Sequence, residues 1–232
     1  MADASFGGFT PKAAAFLRGL AAHNDRAWFV ARKGTYESEV LAPMRELLLA
    51  LAPAMLAIDP GFETNPRSGA VSRIYRDTRF SHDKSPYRVN QWIAFRHRAE
   101  DWPSRPAFFM EFGADHYRYG MGFYAAPPVV MAAVRTRIAA RPEPFVKAMA
   151  RAGKAGFVLE GDVYKRPQVP PDLPEAVQEW YRRKNAYLTL NHAMDAAFCG
   201  PALLETVQEA FRTLTPLYRV LAAAREDVGG QR

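Results

Sequence analysis

At 232 residues, 49% of them hydrophobic and 12% aromatic, the chain carries enough apolar side chain to fill a large core, which excludes a low-complexity or disordered polypeptide. Its single cysteine, Cys199, excludes an internal disulfide, argues against a cysteine-based metal centre, and fits a reducing compartment. The 31 basic against 24 acidic residues leave a formal charge of +7, a modest excess that favours acidic ligands.

In chain order, Thr10 as a cap and Pro11 at the first helical position predict a helix with Phe16, Leu17 and Leu20 on one face, ending near His23-Asn24. Asp25 caps a second helix in which Trp28, Phe29, Tyr36 and Val40 recur at helical spacing. Pro43 starts a new segment carrying Met44, Leu47, Leu48 and Leu51. The apolar run from Leu47 towards Ile58 contains Pro53, which is expected to cut it too short for a membrane crossing. The N-terminus lacks the pattern of a secretory signal, so the expectation is a cytoplasmic protein with no membrane partner.

From Val71 the period changes to two. Val71, Arg73, Tyr75, Asp77 and Arg79 share one side of an extended chain, and Ser72, Ile74, Arg76, Thr78 and Phe80 the other, which predicts a strand lining a cleft or an edge. A turn over Ser81 to Tyr87 leads to a second strand through Val89, Gln91, Ile93 and Phe95. Phe108, Met110 and Phe112, then Tyr117, Tyr119, Met121 and Phe123, predict a hairpin around Ala114-Asp115. Gly120-Met121-Gly122 lies inside that strand pattern and reads as a place of close backbone approach.

Pro127 opens a helix with Val130, Val134 and Ile138 as its stripe and Arg135, Arg137 and Arg141 turned away. A short helix from Pro144 to Arg151 and a strand over Phe157 to Leu159 follow. The proline-rich stretch Arg166 to Pro174 reads as an ordered connection into a helix beginning at Asp172 or Glu175, and Trp180 to Lys184 as a helix with an aromatic and a basic face. The last helix is expected over Pro201 to Glu226, with Leu204, Val207, Phe211 and Leu214 on one face and a kink at Pro216. Together these predict one α+β domain over residues 1–232, an antiparallel sheet flanked by N-terminal and C-terminal helices.

The chemistry concentrates between residues 73 and 88. Arg73, Arg76, Arg79, Lys84 and Arg88 stand there against only Asp77 and Asp83, so the block must meet other carboxylates or an outside anion. An anionic small molecule carrying phosphate or carboxylate is the expected ligand, with the two aspartates orienting the cations. Asp77 and Asp83 are also the candidate catalytic carboxylates, although neighbouring cations lower a carboxylate's pKa and make it a poor base near neutrality. Binding and turnover both stay open.

Two other partners are weighed beside it. Arg73-x-Tyr75-Arg76 and Tyr117-Arg118-Tyr119 interleave cations and rings as a platform for single-stranded nucleic acid would, and the basic block would equally receive an acidic peptide. No phosphate loop, dinucleotide motif or nucleophile elbow occurs, and no cofactor is expected. His23, His82, His97, His116 and His192 are scattered without ligand spacing; Asp77 and Glu111 offer a carboxylate pair for magnesium, but the surrounding arginines repel a cation, and no metal is expected.

Several irregular motifs coincide with one family: Phe6-Gly7-Gly8-Phe9-Thr10, Phe16-Leu17 with Leu20, Asn24-x-Arg26-x-Trp28-Phe29, Tyr36-Glu37, the block Arg73 to Tyr87, Gly120-x-Gly122 and Pro216-Leu217. The chain thereby resembles, over nearly its whole length, the bacterial and fungal family called domain of unknown function 2461. It departs from that family in having His23-Asn24 where a double asparagine is usual. The resemblance implies no activity. It does imply that Asn24, Arg26 and Trp28 form a helix-side wall to the arginine block.

Overall fold

A computed structural model of the chain describes residues 6–79, 82–98 and 102–229. It is an α+β fold with one five-stranded antiparallel sheet. The strands are β1 (Gln91–Phe95), β2 (Ala107–Phe112), β3 (His116–Phe123), β4 (Val158–Glu160) and β5 (Ala186–Ala193), in the order β1-β2-β3-β5-β4. The chain divides into two compact units: the described residues of Met1–Phe95, Phe109–Tyr119 and Asn191–Gln208, and those of Arg96–Phe108, Gly120–Leu190 and Glu209–Arg232.

In the first unit, α1 (Pro11–Ala22) starts as its sequence dictates: Thr10 Oγ1 accepts from the Lys12 N–H, Pro11 needs no partner, and Ala13, Phe16, Leu17 and Leu20 are buried. Asp25 accepts from the Trp28 N–H at 2.9 Å and caps the short α2 (Arg26–Ala31). The next helix differs from expectation. α3 (Lys33–Thr35), a π-helical turn (Tyr36–Leu41) and α4 (Ala42–Ile58) run on as 26 residues, with Pro43 on the first turn of α4 and Pro53 inside it. Pro53 does not cut the helix, which is therefore long and apolar enough to cross a bilayer by length and composition. Its Val40, Met44, Leu47, Leu48, Leu51 and Met55 are buried.

The N-terminal Phe-Gly-Gly-Phe has a packing role. Phe9 stacks on Phe198 at 4.6 Å and meets Phe112 at 4.9 Å. Gly8 has φ +99°, and a Cβ there would lie 2.2 Å from the Gly200 carbonyl carbon, so only glycine lets the two backbones meet.

In the second unit α5 (Pro128–Ala140), α6 (Pro142–Lys154) and α7 (Glu175–Tyr181) pack together. Phe145 meets the fully buried Trp180 edge-on at 5.3 Å. Arg135 does not turn away: it is half-buried and donates to the Arg183 carbonyl. The helix at Trp180 stops at Tyr181, and Ala186–Ala193 is β5, a strand that the residue pattern does not predict. Gly120 and Gly122 accommodate it; a Cβ on Gly120 would lie 1.9 Å from the Leu188 carbonyl oxygen. The final helix, α8 (Ala202–Gly229), runs unbroken through Pro216 and buries Leu203 rather than Leu204 beside Val207, Phe211 and Leu214.

Candidate functional site

The expected strand from Val71 is an irregular antiparallel ribbon. Ser72 N–H donates to the Trp92 carbonyl, Ala94 N–H to Ala70, Arg76 N–H to Pro86 and Arg88 N–H to Ile74, but only Val71↔Ile93 and Tyr75↔Tyr87 form bridges. A side chain breaks the ladder, because the Trp92 N–H donates to Ser72 Oγ. The period of two survives this. Ser72 and Ile74 are buried, while Arg73, Tyr75, Asp77 and Arg79 are exposed on the other side. The expected positions Phe80 and Ser81 lie outside the described residues.

The ribbon's charges are partly used within it. Arg79 grips Asp77 with two hydrogen bonds, Nε to Oδ1 at 3.0 Å and Nη2 to Oδ2 at 2.7 Å, and these bonds hold the carboxyl at a pKa of about 2. Arg76 pairs with Asp83, whose pKa is also about 2, first through hydrogen bonds from Ser85 and then through Arg76. Lys84 Nζ donates to the Thr78 carbonyl at 2.9 Å, and the Arg88 guanidinium lies 4.9 Å over the Trp92 ring. Arg73 makes no hydrogen bond or ion pair among the described residues.

From the helix side, Asn24 reaches the ribbon directly. Its Nδ2 donates to the Tyr87 carbonyl and its Oδ1 accepts from the Tyr87 N–H, both at 3.0 Å. Arg26 lies close enough to Tyr87 to lower its pKa against the larger effect of burial. Trp28 goes elsewhere: it stacks on His23, lies under Arg32 and fills the space that the missing Cβ of Gly19 leaves. Of the three wall residues, the structure brings Asn24 and Arg26 to the ribbon.

Sequence reasoning missed a tyrosine cluster there. Phe29 stacks on Tyr87 at 4.3 Å and touches Tyr36 and Tyr75, and Tyr75 meets Tyr87 at 5.5 Å. Tyr36 and Tyr87 are only 6% and 4% exposed, yet no hydroxyl of the three tyrosines has a hydrogen-bond partner among the described residues. Burial raises the Tyr36 pKa to about 12; Arg45 opposes this and Tyr75 adds to it. Tyr87 is raised by burial, with Tyr75 adding. Arg45 and the carboxylate of Glu37 thus act on Tyr36, and Arg26 and the carboxylate of Asp25 on Tyr87. Tyr36 and Tyr87 belong to the motifs quoted above, but nothing in the sequence singles out Arg45.

Other expected sites are otherwise occupied. Glu111 pairs with Arg118 and accepts from Asn90, and Asp77 belongs to Arg79, so the two carboxylates serve their own neighbours rather than a magnesium ion. Among the described residues no cluster of three metal-ligating side chains occurs. Tyr117 and Tyr119 are 2% and 1% exposed, which hides both ring faces from a nucleobase. Tyr119 donates or accepts at 3.0 Å with His192, which also stacks on Tyr117.

The sequence profile of the family described as conserved hypothetical protein (DUF2461) matches residues 12–219. No curated protein matches the chain.

Proposed function

We propose, for a chain that belongs to the DUF2461 family of conserved hypothetical proteins, that the outer side of the 73–88 ribbon and the adjoining tyrosines bind an anionic small molecule carrying phosphate or carboxylate. One observation carries the reading: the hydroxyls of Tyr36 and Tyr87 belong to nearly buried side chains and have no partner among the described residues, and each has an arginine in electrostatic reach, Arg45 at Tyr36 and Arg26 at Tyr87, beside the carboxylates of Glu37 and Asp25. Neither hydroxyl oxygen is among the fully buried polar atoms that lack a partner, so both stay open to an outside acceptor, and an anion oxygen would take their hydrogen bonds. Tyr75 meets Tyr87 on the ribbon's exposed side and supplies a third hydroxyl, and Arg73, two residues before it and likewise exposed, supplies a cation. The ion pairs of Arg76 and Arg79, with Lys84 on the Thr78 carbonyl and Arg88 on Trp92, shape the ribbon that presents this surface.

Catalysis is not needed for this reading. Carboxyls held near a pKa of 2, as Asp77 and Asp83 are, accept protons poorly at neutral pH. The test is titration calorimetry of the full chain with inorganic phosphate, a nucleoside monophosphate, a dicarboxylate, an acidic peptide and a single-stranded oligonucleotide, at low and raised salt. A small anion should bind with shape preference, and Tyr36→Phe should weaken it about tenfold while leaving the fold intact. Binding of the oligonucleotide alone, falling steeply with salt, would assign the surface to nucleic acid instead. Binding of the peptide alone would make it a protein-docking surface. No binding by any of the five ends the proposal.

A further inference from the structure

Helix α5 is apolar on two faces. Val130, Met131, Val134 and Ile138 are buried beneath it, as a stripe at helical spacing requires. Its opposite face carries Val129, which is 61% exposed, with Ala132, Ala133 and Ala140, interrupted by Thr136 and edged by Arg137. A helix that faces water normally sets charged residues on that side. Here the second apolar face instead lines a groove of about 880 Å³, completed by Val220 and Ala223 of α8 and by Pro144. That volume lies within the range of small-molecule sites, which are likewise mostly apolar with a few polar groups.

The charged groups of this groove share one sign. Arg137, Arg141 and Arg219 line it beside the neutral Thr136, and among the described residues no carboxylate does. Among the described residues the side chains of Arg141 and Arg219 make no hydrogen bond or ion pair, and both residues are exposed. The floor, by contrast, is built of alanine and valine methyl groups, with the Thr136 hydroxyl as its one neutral polar group among the described residues. From Val129 to Ala140 the helix rises by about 16 Å, the length of an extended chain of roughly a dozen carbons.

From the apolar floor and the unengaged guanidiniums we infer that this groove binds a single-chain fatty-acyl carboxylate, its tail along α5 and its head on Arg141 and Arg219. The chemistry is charge complementarity joined to apolar burial. The Arg fork pairs with a carboxylate through two hydrogen bonds, and each methylene removed from water adds about fourfold in affinity. All the groove's residues belong to the second unit, so the inference is independent of the ribbon.

The test uses the full chain and dodecanoate below its micelle concentration, followed by titration calorimetry. Dodecanoate should bind, decanoate about tenfold more weakly, and dodecanol more weakly than dodecanoate. The double variant Arg141→Ala, Arg219→Ala alters two exposed side chains and should keep its melting temperature while losing about tenfold or more in dodecanoate affinity. Ala133→Trp should abolish binding by filling the floor. Equal affinity for dodecanol and dodecanoate, or a double variant that binds as well as the parent, overturns the inference. So does association with anionic lipid vesicles in the absence of any dodecanoate binding, which would make the face a membrane contact.

Discussion

Asn24 and Tyr87, 63 positions apart, are joined as two paired strands would be: the side-chain amide of one exchanges both of its hydrogen bonds with the backbone N–H and C=O of the other, each at 3.0 Å. The amide thus occupies a place that a neighbouring strand would otherwise take, and it ties the loop after α1 to the ribbon that carries the cations. No other side chain of that size offers a donor and an acceptor in this geometry. Aspartate keeps the acceptor but sets a negative oxygen against the Tyr87 carbonyl.

Replacing Asn24 should therefore cost more than a surface amide is worth. Asn24→Ala leaves both backbone groups of the buried Tyr87 without their partner and is expected to destabilise the protein by about 2 kcal/mol, lowering its melting temperature by roughly 4–8 °C. Asn24→Asp should cost at least as much. Thermal melts of the two variants beside the parent decide this, and parity among the three would mean that water replaces the amide without loss.

Close approach at Gly120 makes a second, sharper prediction. A methyl group there would sit 1.9 Å from the Leu188 carbonyl oxygen and 3.1 Å from the Thr189 Cα, so β5 would have to move away. Gly120→Ala is expected to destabilise by about 3 kcal/mol or more. Gly153, inside α6 and with nothing within 4 Å of where an alanine methyl would stand, is the control. Gly153→Ala should stabilise by about 0.5–1 kcal/mol through helix propensity. Urea unfolding of both variants checks the contrast, and two effects of the same sign would refute it.

Alkaline pH tests the tyrosine environment. Tyr36 and Tyr117 have folded-state pKa values of about 12 against an ordinary value of 10, in both cases chiefly through burial. A pKa raised in the fold means that the neutral phenol is favoured there. Each tyrosine's contribution to stability is whole below pH 10 and is lost as pH climbs from 10 towards 12. Phenolate absorbance should show these phenols titrating late, and Tyr36→Phe and Tyr117→Phe should each remove one phenol's signal near pH 12. If Tyr36→Phe leaves that region unchanged while removing signal near pH 10, the hydroxyl is hydrated and the proposed anion site loses its main support.

What could be read from the residues follows how local the determining contacts are. Thr10-Pro11 and Asp25 fix two helix starts through bonds that span two or three residues, and both are legible. The hairpin of β2 and β3 is legible because Phe108, Met110 and Phe112 alternate cleanly. β5 is not, because Ala186-Tyr187-Leu188-Thr189 buries Ala186, Leu188 and Thr189 together, which is no period of two, and it follows directly on a helical pattern. The π-helical turn at Tyr36–Leu41 leaves the helical spacing of apolar residues nearly intact and gives no warning. In the candidate site the charge block is legible as a run of residues. The convergence of Tyr36, Tyr75, Tyr87, Arg26 and Arg45 is not, since it depends on packing between segments that are distant in sequence.

The final prediction separates arginines that hold the ribbon from arginines that face a guest. Arg79 gives Nε and Nη2 to Asp77, and Arg76 is committed to Asp83, whereas Arg26 and Arg73 have no ion-pair partner among the described residues. An anion arriving at Arg79 must displace a carboxylate already in bidentate contact, but one arriving at Arg26 or Arg73 displaces only water. Arg79→Ala should consequently change the affinity for the best-binding small anion by less than about twofold, and Arg26→Ala or Arg73→Ala should lower it about tenfold. Calorimetric titration of the three variants measures this order directly. The opposite order would place the guest on the carboxylate-paired cations and require Asp77 to release Arg79 on binding.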